Sequence, residues 1–335
     1  MTNRRVVLAS RPEGEPSADN FRLETSETAP VGEGEVLLRT LFLSIDPYMR
    51  GRMSDGPSYA APVNIGEVMV GSTVCEVVES RTAGLEPGDI VSAFSGWQEY
   101  AVVAGRGLRR LDPARGPVSL ALGVLGMPGL TAYTGLLNIG DPKPGETVVV
   151  SAASGAVGAV VGQIAKIKGC RVVGVAGGPE KCRYVVEDLG FDACVDHRSP
   201  TFYDDLKAVC PAGVDVYFEN VGGKVLECVL PRMNDFGRMP VCGLISQYNL
   251  TELAPGGDRT AVLMRAVLTK RLRIQGFIVL DYASQMADFL RDVSGWLAEG
   301  QIRYKEDIVD GLENAPEALC GVLKGRNFGK MLVRF

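Results

Sequence analysis

The segment that most restricts the fold is Val148-Val149-Val150-Ser151-Ala152-Ala153-Ser154-Gly155-Ala156-Val157-Gly158. A β-branched strand runs straight into a small, glycine-bearing turn and then a helical pattern. A strand with no polar alternation is buried on both faces, which requires a sheet covered by helices on each side. The rhythm then repeats. Strands are expected at 146–152, 171–176, 193–196, 214–219, 238–242 and 272–280. Helices are expected at 156–168, 180–189, 202–209, 224–232 and 282–299. Such alternation predicts an α/β fold with a doubly wound parallel sheet.

Upstream of residue 145 the pattern differs. Strand candidates at 35–43, 68–78 and 89–94 are short and separated by turn signals such as Glu86-Pro87-Gly88-Asp89. That style suits a compact barrel-like domain, and the tail from Arg303 returns to it.

Composition sharpens this reading at three points. Glycine makes up 41 of 335 residues, about 12% against a usual ~7%, and 15 of the 41 lie between Gly116 and Gly190, where the α/β unit begins. The runs 116–140 and 147–165 carry no charge and are near bilayer-spanning length. Pro128 and the internal glycines of the first, and the strand–turn–helix grammar of the second, assign both to a protein interior. The single His197 excludes any zinc site built on two histidines within this chain.

The eight cysteines are scattered without a CxxC, as reduced core thiols of a cytoplasmic protein would be. No metal is expected. The N-terminal apolar stretch 6–9 is too short for an export signal. A net charge of −5 leaves no footprint for nucleic acid, and no membrane association is expected.

The turn itself points to a dinucleotide. Gly155 would let the chain turn tightly under a pyrophosphate, Gly158 would let the helix pack closely, and the N–H groups around Ser154, Ala156 and Val157 would face the anion. The pattern departs from G-x-G-x-x-G, since Ala153 stands at the first glycine position. At the tip of the next strand, an Asp or Glu about 20 residues past the turn would mark NAD. Gly177 and Gly178 stand there instead, followed by Lys181, which favours NADP(H). Lys181 also reads as an ordinary surface lysine. His197 and Arg198 follow the third strand, at the adenosine end of such a site.

Several further segments complete the pattern: 43–50 (LSIDPYMR), 152–166, 217–223 (YFENVGG), 242–249 (CGLISQYN), 275–279 (QGFIV) and 327–331 (NFGKM). With these the chain resembles a medium-chain dehydrogenase/reductase. It is most similar to the zinc-independent branch of prostaglandin reductases, alkenal double-bond reductases and bacterial curcumin reductases. The resemblance implies a GroES-like β-barrel domain at 1–126 and 303–335 and a Rossmann NADP-binding domain at 127–302. It implies NADPH-dependent reduction of a carbon–carbon double bond conjugated to a carbonyl, with a small-molecule enone as substrate and a homodimer as the assembly.

By position, the resemblance places Lys181 and His197 at the 2′-phosphate, where the family usually has tyrosine in place of His197. It places Asn220, Cys242, Gly243, Ile245, Ser246, Tyr248, Phe277, Ile278, Val279 and Asn327 along the ribose and nicotinamide. Without a metal, the negative charge on the substrate oxygen needs hydrogen-bond donors. The resemblance favours the Tyr248 phenol and the ribose 2′-hydroxyl of the cofactor as the first candidates; Tyr59 is the second, the alternative for either tyrosine being a packing aromatic. The competing functions are a zinc-free NADPH quinone reductase and a non-catalytic NADPH-binding redox sensor.

Overall fold

A computed structural model describes residues 1–252 and 259–335. The chain divides into two units, Met1–Gly123 with Glu306–Phe335, and Val124–Lys305. In the first, β1 (Thr2–Leu8) and β2 (Phe21–Glu27) form an antiparallel pair. Strand β3 (Glu35–Ser44) leads through the short α1 (Tyr48–Arg52) to β4 (Thr73–Ser80). Strands β5 (Ile90–Ala93), β6 (Tyr100–Ala104) and β7 (Arg109–Leu111) follow. Leu43, Ile45, Met49 and Trp97 are wholly or almost wholly buried in the core, and Phe21 stacks on Trp97 with ring centroids 5.6 Å apart.

The second unit opens with α2 (Met127–Thr134) and one wider π-type turn over Gly135–Gly140. The uncharged 116–140 run is thus largely buried helix, and among the described residues no helix is long and apolar enough to cross a membrane. The repeating unit is β8 (Thr147–Ser151), α3 (Gly158–Ile167), β9 (Arg171–Ala176), α4 (Pro179–Glu187) and β10 (Ala193–Asp196). It continues through α5 (Phe202–Val209), β11 (Val214–Phe218), α6 (Gly223–Val229) and β12 (Met233–Val241). It closes with α7 (Thr260–Lys270), β13 (Arg273–Gly276) and α8 (Met286–Ala298). All pairings are parallel, in the order β10-β9-β8-β11-β12-β13. By appearance within the unit that is 3-2-1-4-5-6, the doubly wound order with its switch point between β8 and β11. The Val148–Val150 run is completely buried, as its unbroken apolar sequence requires.

The chain then returns to the first unit through β14 (Glu306–Asp310), α9 (Ala315–Leu323) and β15 (Lys330–Arg334). β15 pairs antiparallel with β3, Leu332 opposite Ser44. Its Lys330 is buried, and the ammonium donates to the carbonyls of Ile45 (2.7 Å) and Met331 (2.9 Å) while pairing with Asp46 at 3.2 Å. A buried charge persists only with such partners.

The strand expected over 238–242 begins at Met233, that over 68–78 begins at Thr73, and the helix expected from 282 begins at Met286 after a 3-10 segment. Three further expectations need correction. The strand expected over 272–280 stops at Gly276, because its neighbour β12 ends at Val241, the partner of Gly276. Val279 begins a 3-10 turn. Helix α3 starts at Gly158 instead of residue 156, so Ser154 to Val157 belong to the turn. The helix expected over 224–232 ends at Val229, and Pro231, which has no N–H, sits in a 3-10 turn after it.

Candidate dinucleotide site

The left-handed residue of the turn after β8 is Ala152 (φ 50°), not Gly155, whose φ is not positive. The turn is held by the Ala153 N–H donating to Val175 O (3.0 Å) and the Gly155 N–H donating to Ala152 O (2.9 Å). Gly158 is where glycine is required. A Cβ there would lie 2.9 Å from the Ala152 carbonyl carbon and 3.0 Å from Ala153 Cα, with Ala152 O closer still. At Gly155 a Cβ would meet only Ala152 O, at 3.1 Å. No side chain caps α3, so its N-terminal dipole is directed at whatever the turn cradles.

At the outer end, the tips of β9 and β10 meet. Gly178 (φ 97°) donates its N–H to Asp196 Oδ1 at 2.9 Å, and Arg198 donates its own to the same oxygen at 2.9 Å. Burial works against the Asp196 carboxylate, yet these bonds hold it below the usual range. Its charge is spent on backbone. A Cβ on Gly177 would lie 2.9 Å from His197 Nε2 and 3.2 Å from Arg198 Nε, so the glycine leaves the imidazole its room. His197 is pushed below its ordinary 6.5, first by burial and then by Arg198, with Lys224 and Lys181 adding to it against Asp196. Three cations therefore converge on one neutral imidazole, a donor set suited to a phosphate dianion.

Lys224, which also donates to His197 O at 3.4 Å, was not singled out from sequence. Its signal was available. It is a cation in the first turn of α6, after the Gly222-Gly223 pair that ends the next β-to-α connection.

The switch point is a dense clamp. Asn220 donates its backbone N–H to Ser151 Oγ (2.7 Å) and its side-chain amide to Ser151 O (2.8 Å). Glu219 is fully buried, and its Oε1 accepts from Ser151 Oγ (3.1 Å), Val221 N–H (2.6 Å) and Gly222 N–H (2.9 Å). Cys242 and Gly243 donate their N–H groups to Glu219 O, Ile245 to Asn220 O and Ser246 to Val221 O. The 242–248 loop is thereby fastened across the β11 tip. Burial, with the Glu219 carboxylate beside it, pushes the Cys242 thiol up to about 12, so it is a protonated thiol at neutral pH. The loop closes on itself where Leu244 N–H donates to the Tyr248 phenol oxygen at 3.3 Å.

Phe277 is half-buried and packs edge-on against Phe218 (6.3 Å between centroids) and Tyr282 (6.1 Å). Ile278 and Val279 follow it at the start of the 3-10 turn. Tyr59 and Asn327 belong to the other unit. Tyr59 is 59% exposed, and Asn327 donates its amide to Gly329 O at 2.7 Å within a local turn.

A parallel sheet of this order, with an uncapped helix at its glycine turn and cations at the next strand tips, defines a dinucleotide-binding protein. Family models agree: residues 4–111 match "N-terminal domain of oxidoreductase" and residues 156–294 match "Zinc-binding dehydrogenase". Among the described residues no three His, Cys, Asp or Glu side chains are grouped to hold a metal. The chain is 58% identical to the NADPH-dependent curcumin reductase of Escherichia coli over 333 residues, 99% of this chain and 96% of that protein. It is 46% identical to prostaglandin reductase 1 of Rattus norvegicus over 327 residues, 96% of each. The crystal structure of CurA in complex with NADPH from Vibrio vulnificus superposes with a TM-score of 0.95 at 54% identity, covering 99% and 98% of the two chains. The chain belongs to the zinc-independent medium-chain dehydrogenase/reductases, in the branch that holds the prostaglandin and curcumin reductases.

Proposed function

We propose that the protein reduces the carbon–carbon double bond of α,β-unsaturated ketones and aldehydes, adding hydride at the β-carbon and stabilising the enolate without a metal. It is an NADP-dependent oxidoreductase, and its cofactor is NADP(H). The carrying observation is the 58% identity, over almost the whole chain, to a reductase of curcumin, a compound of that conjugated type.

The residues present suit NADP(H). The 154–158 turn, with Ser154, Gly155, Ala156, Val157 and Gly158, is assigned to the pyrophosphate. Lys181, His197, Arg198 and Lys224 are assigned to the 2′-phosphate. Asn220 and the loop from Cys242 through Gly243, Ile245 and Ser246 to Tyr248 are assigned to the ribose and nicotinamide, together with 277–279 and Asn327. When bound, the cofactor supplies the hydride. The charge left on the substrate oxygen then needs a donor, and Tyr248 is assigned that role, with Tyr59 second. In its bond from Leu244 N–H the Tyr248 phenol oxygen acts as acceptor, which fixes the ring beside the loop. The α-carbon receives its proton from a tyrosine or from water.

A homodimer fits the sheet edge at β13, which has no second strand partner among the described residues. Nearby in sequence, α7 exposes Val262, Met264 and Leu268, and Leu280 is 74% exposed. Sedimentation at micromolar concentration tests that assembly; a monomer refutes it.

The activity is tested by mixing protein and NADPH with a panel of enones, enals and quinones and following NADPH absorbance. Turnover of enones with recovery of the saturated ketone supports the reading. Turnover of quinones alone assigns the protein to quinone reduction, and no turnover on any member assigns it to cofactor binding.

A further inference from the structure

Glu219 carries a charge that the fold does not compensate. It follows Phe218, the last residue of β11, and is fully buried. Its Oε1 accepts from Ser151 Oγ, at the end of β8, and from the N–H groups of Val221 and Gly222. Every one of these bonds is accepted, as those of an ionised carboxylate are, and every donor is neutral. Among the described residues no lysine, arginine or histidine pairs with it, and its Oε2 is buried without a hydrogen-bond partner. A buried carboxylate without a cation is costly, and a glutamine of the same size would accept from the same N–H groups.

The neighbouring side chains do not screen this charge. Tyr217, two residues earlier, is fully buried with its phenol oxygen unpartnered. Burial first, and then the Glu219 carboxylate, push that phenol well above its ordinary range. The same two causes, in the same order, act on the Cys242 thiol. Both groups are therefore neutral at pH 7.

Position decides what the charge acts on. Ser151 and Glu219 stand at the ends of the two strands that flank the switch point, beyond which a doubly wound sheet binds its ligand. The loop from Cys242 is fastened to the same residue, since Cys242 and Gly243 donate their N–H groups to Glu219 O.

We propose that Glu219 sets the charge balance of the nicotinamide, its buried carboxylate favouring the oxidised ring over the reduced one and so assisting hydride release. The inference rests on the reading above that puts Asn220 and the 242–248 loop at the nicotinamide. The hydride leaves the ring with its electron pair and bonds to the β-carbon of the substrate, so the ring becomes a cation and the substrate an enolate. Glu219 attracts the ring only as that charge develops, which makes its effect differential instead of a uniform gain in binding.

The test measures Kd for NADP+ and for NADPH by calorimetry, with no substrate present. In Glu219→Gln the ratio of Kd for NADP+ to Kd for NADPH is expected to rise about 5-fold or more, as loss of one unit charge several ångströms away allows. Cys242→Lys sets an ammonium beside the untouched carboxylate and should raise the ratio in the same direction. If Glu219→Gln fails to fold, Cys242→Lys alone decides. Ser151→Ala disturbs the same clamp without changing its charge, so it should move both constants by one factor and leave the ratio as it is. A ratio unmoved in Glu219→Gln, or in Cys242→Lys, overturns the proposal. So does a Ser151→Ala variant whose ratio rises as far as that of Glu219→Gln, since Glu219 would then be a brace and nothing more. Failure of the nicotinamide-loop reading registers separately, as a Ser246→Trp variant that leaves both constants unchanged.

Discussion

Ser151 and Asn220 are tied twice, Asn220 N–H to Ser151 Oγ at 2.7 Å and Asn220 Nδ2 to Ser151 O at 2.8 Å, across the switch point of the sheet. Ser151 is fully buried, so removing its hydroxyl leaves the Asn220 N–H without that acceptor and Glu219 without one donor. Ser151→Ala should cost about 1–3 kcal/mol of stability, read as a lower urea midpoint at unchanged slope. An unchanged midpoint would mean that the clamp adds nothing.

Gly158 and Gly155 separate packing from turn geometry. Gly158→Val should abolish measurable NADPH binding or weaken it at least ~10-fold, because its side chain collides with the Ala152–Ala153 backbone. Gly155→Ala should be far milder, since its backbone is ordinary and its one close contact is 3.1 Å. Fluorescence titration with NADPH distinguishes them, and equal losses would refute the assignment.

Lys224 should matter to NADPH and not to NADH. Lys224→Ala is expected to raise KM for NADPH about 10-fold, the equivalent of ~1.4 kcal/mol, with KM for NADH within a factor of about 2. Parallel changes for both cofactors would place Lys224 outside the phosphate pocket.

His197 carries a pH signature. Its pKa lies below 6.5, so the imidazole is neutral at pH 7 and becomes a further cation as pH falls through that lowered value. KM for NADPH should therefore fall on acidification relative to a His197→Asn variant. The comparison cancels the titration of the phosphate itself, which has a second pKa of about 6. Superimposable pH profiles for the two proteins would remove His197 from cofactor binding.

Tyr248→Phe should lower kcat on an enone about 10- to 100-fold while KM for NADPH changes little. That is less than the ~10²–10³ typical of losing one oxyanion donor, because the ribose 2′-hydroxyl remains. If kcat is unchanged, Tyr248 is only a brace for Leu244.

The sequence by itself determined the α/β repeat, the parallel sheet and the location of the glycine turn. These follow from local patterns: unbroken apolar strands, helical periodicity, and small residues where a strand enters a helix. The lone histidine and the Gly177-Gly178 pair also pointed to the outer strand tips. Only the tertiary structure decided which groups surround that histidine. Parallel crossovers bring the tips of non-consecutive segments to one edge, so Lys224 reaches His197 from 27 residues away. It also put the left-handed position at Ala152 and ended β13 at Gly276. The end of β13 depends on what its last residue is paired with across the sheet, and pairing partners are not written in the local chain.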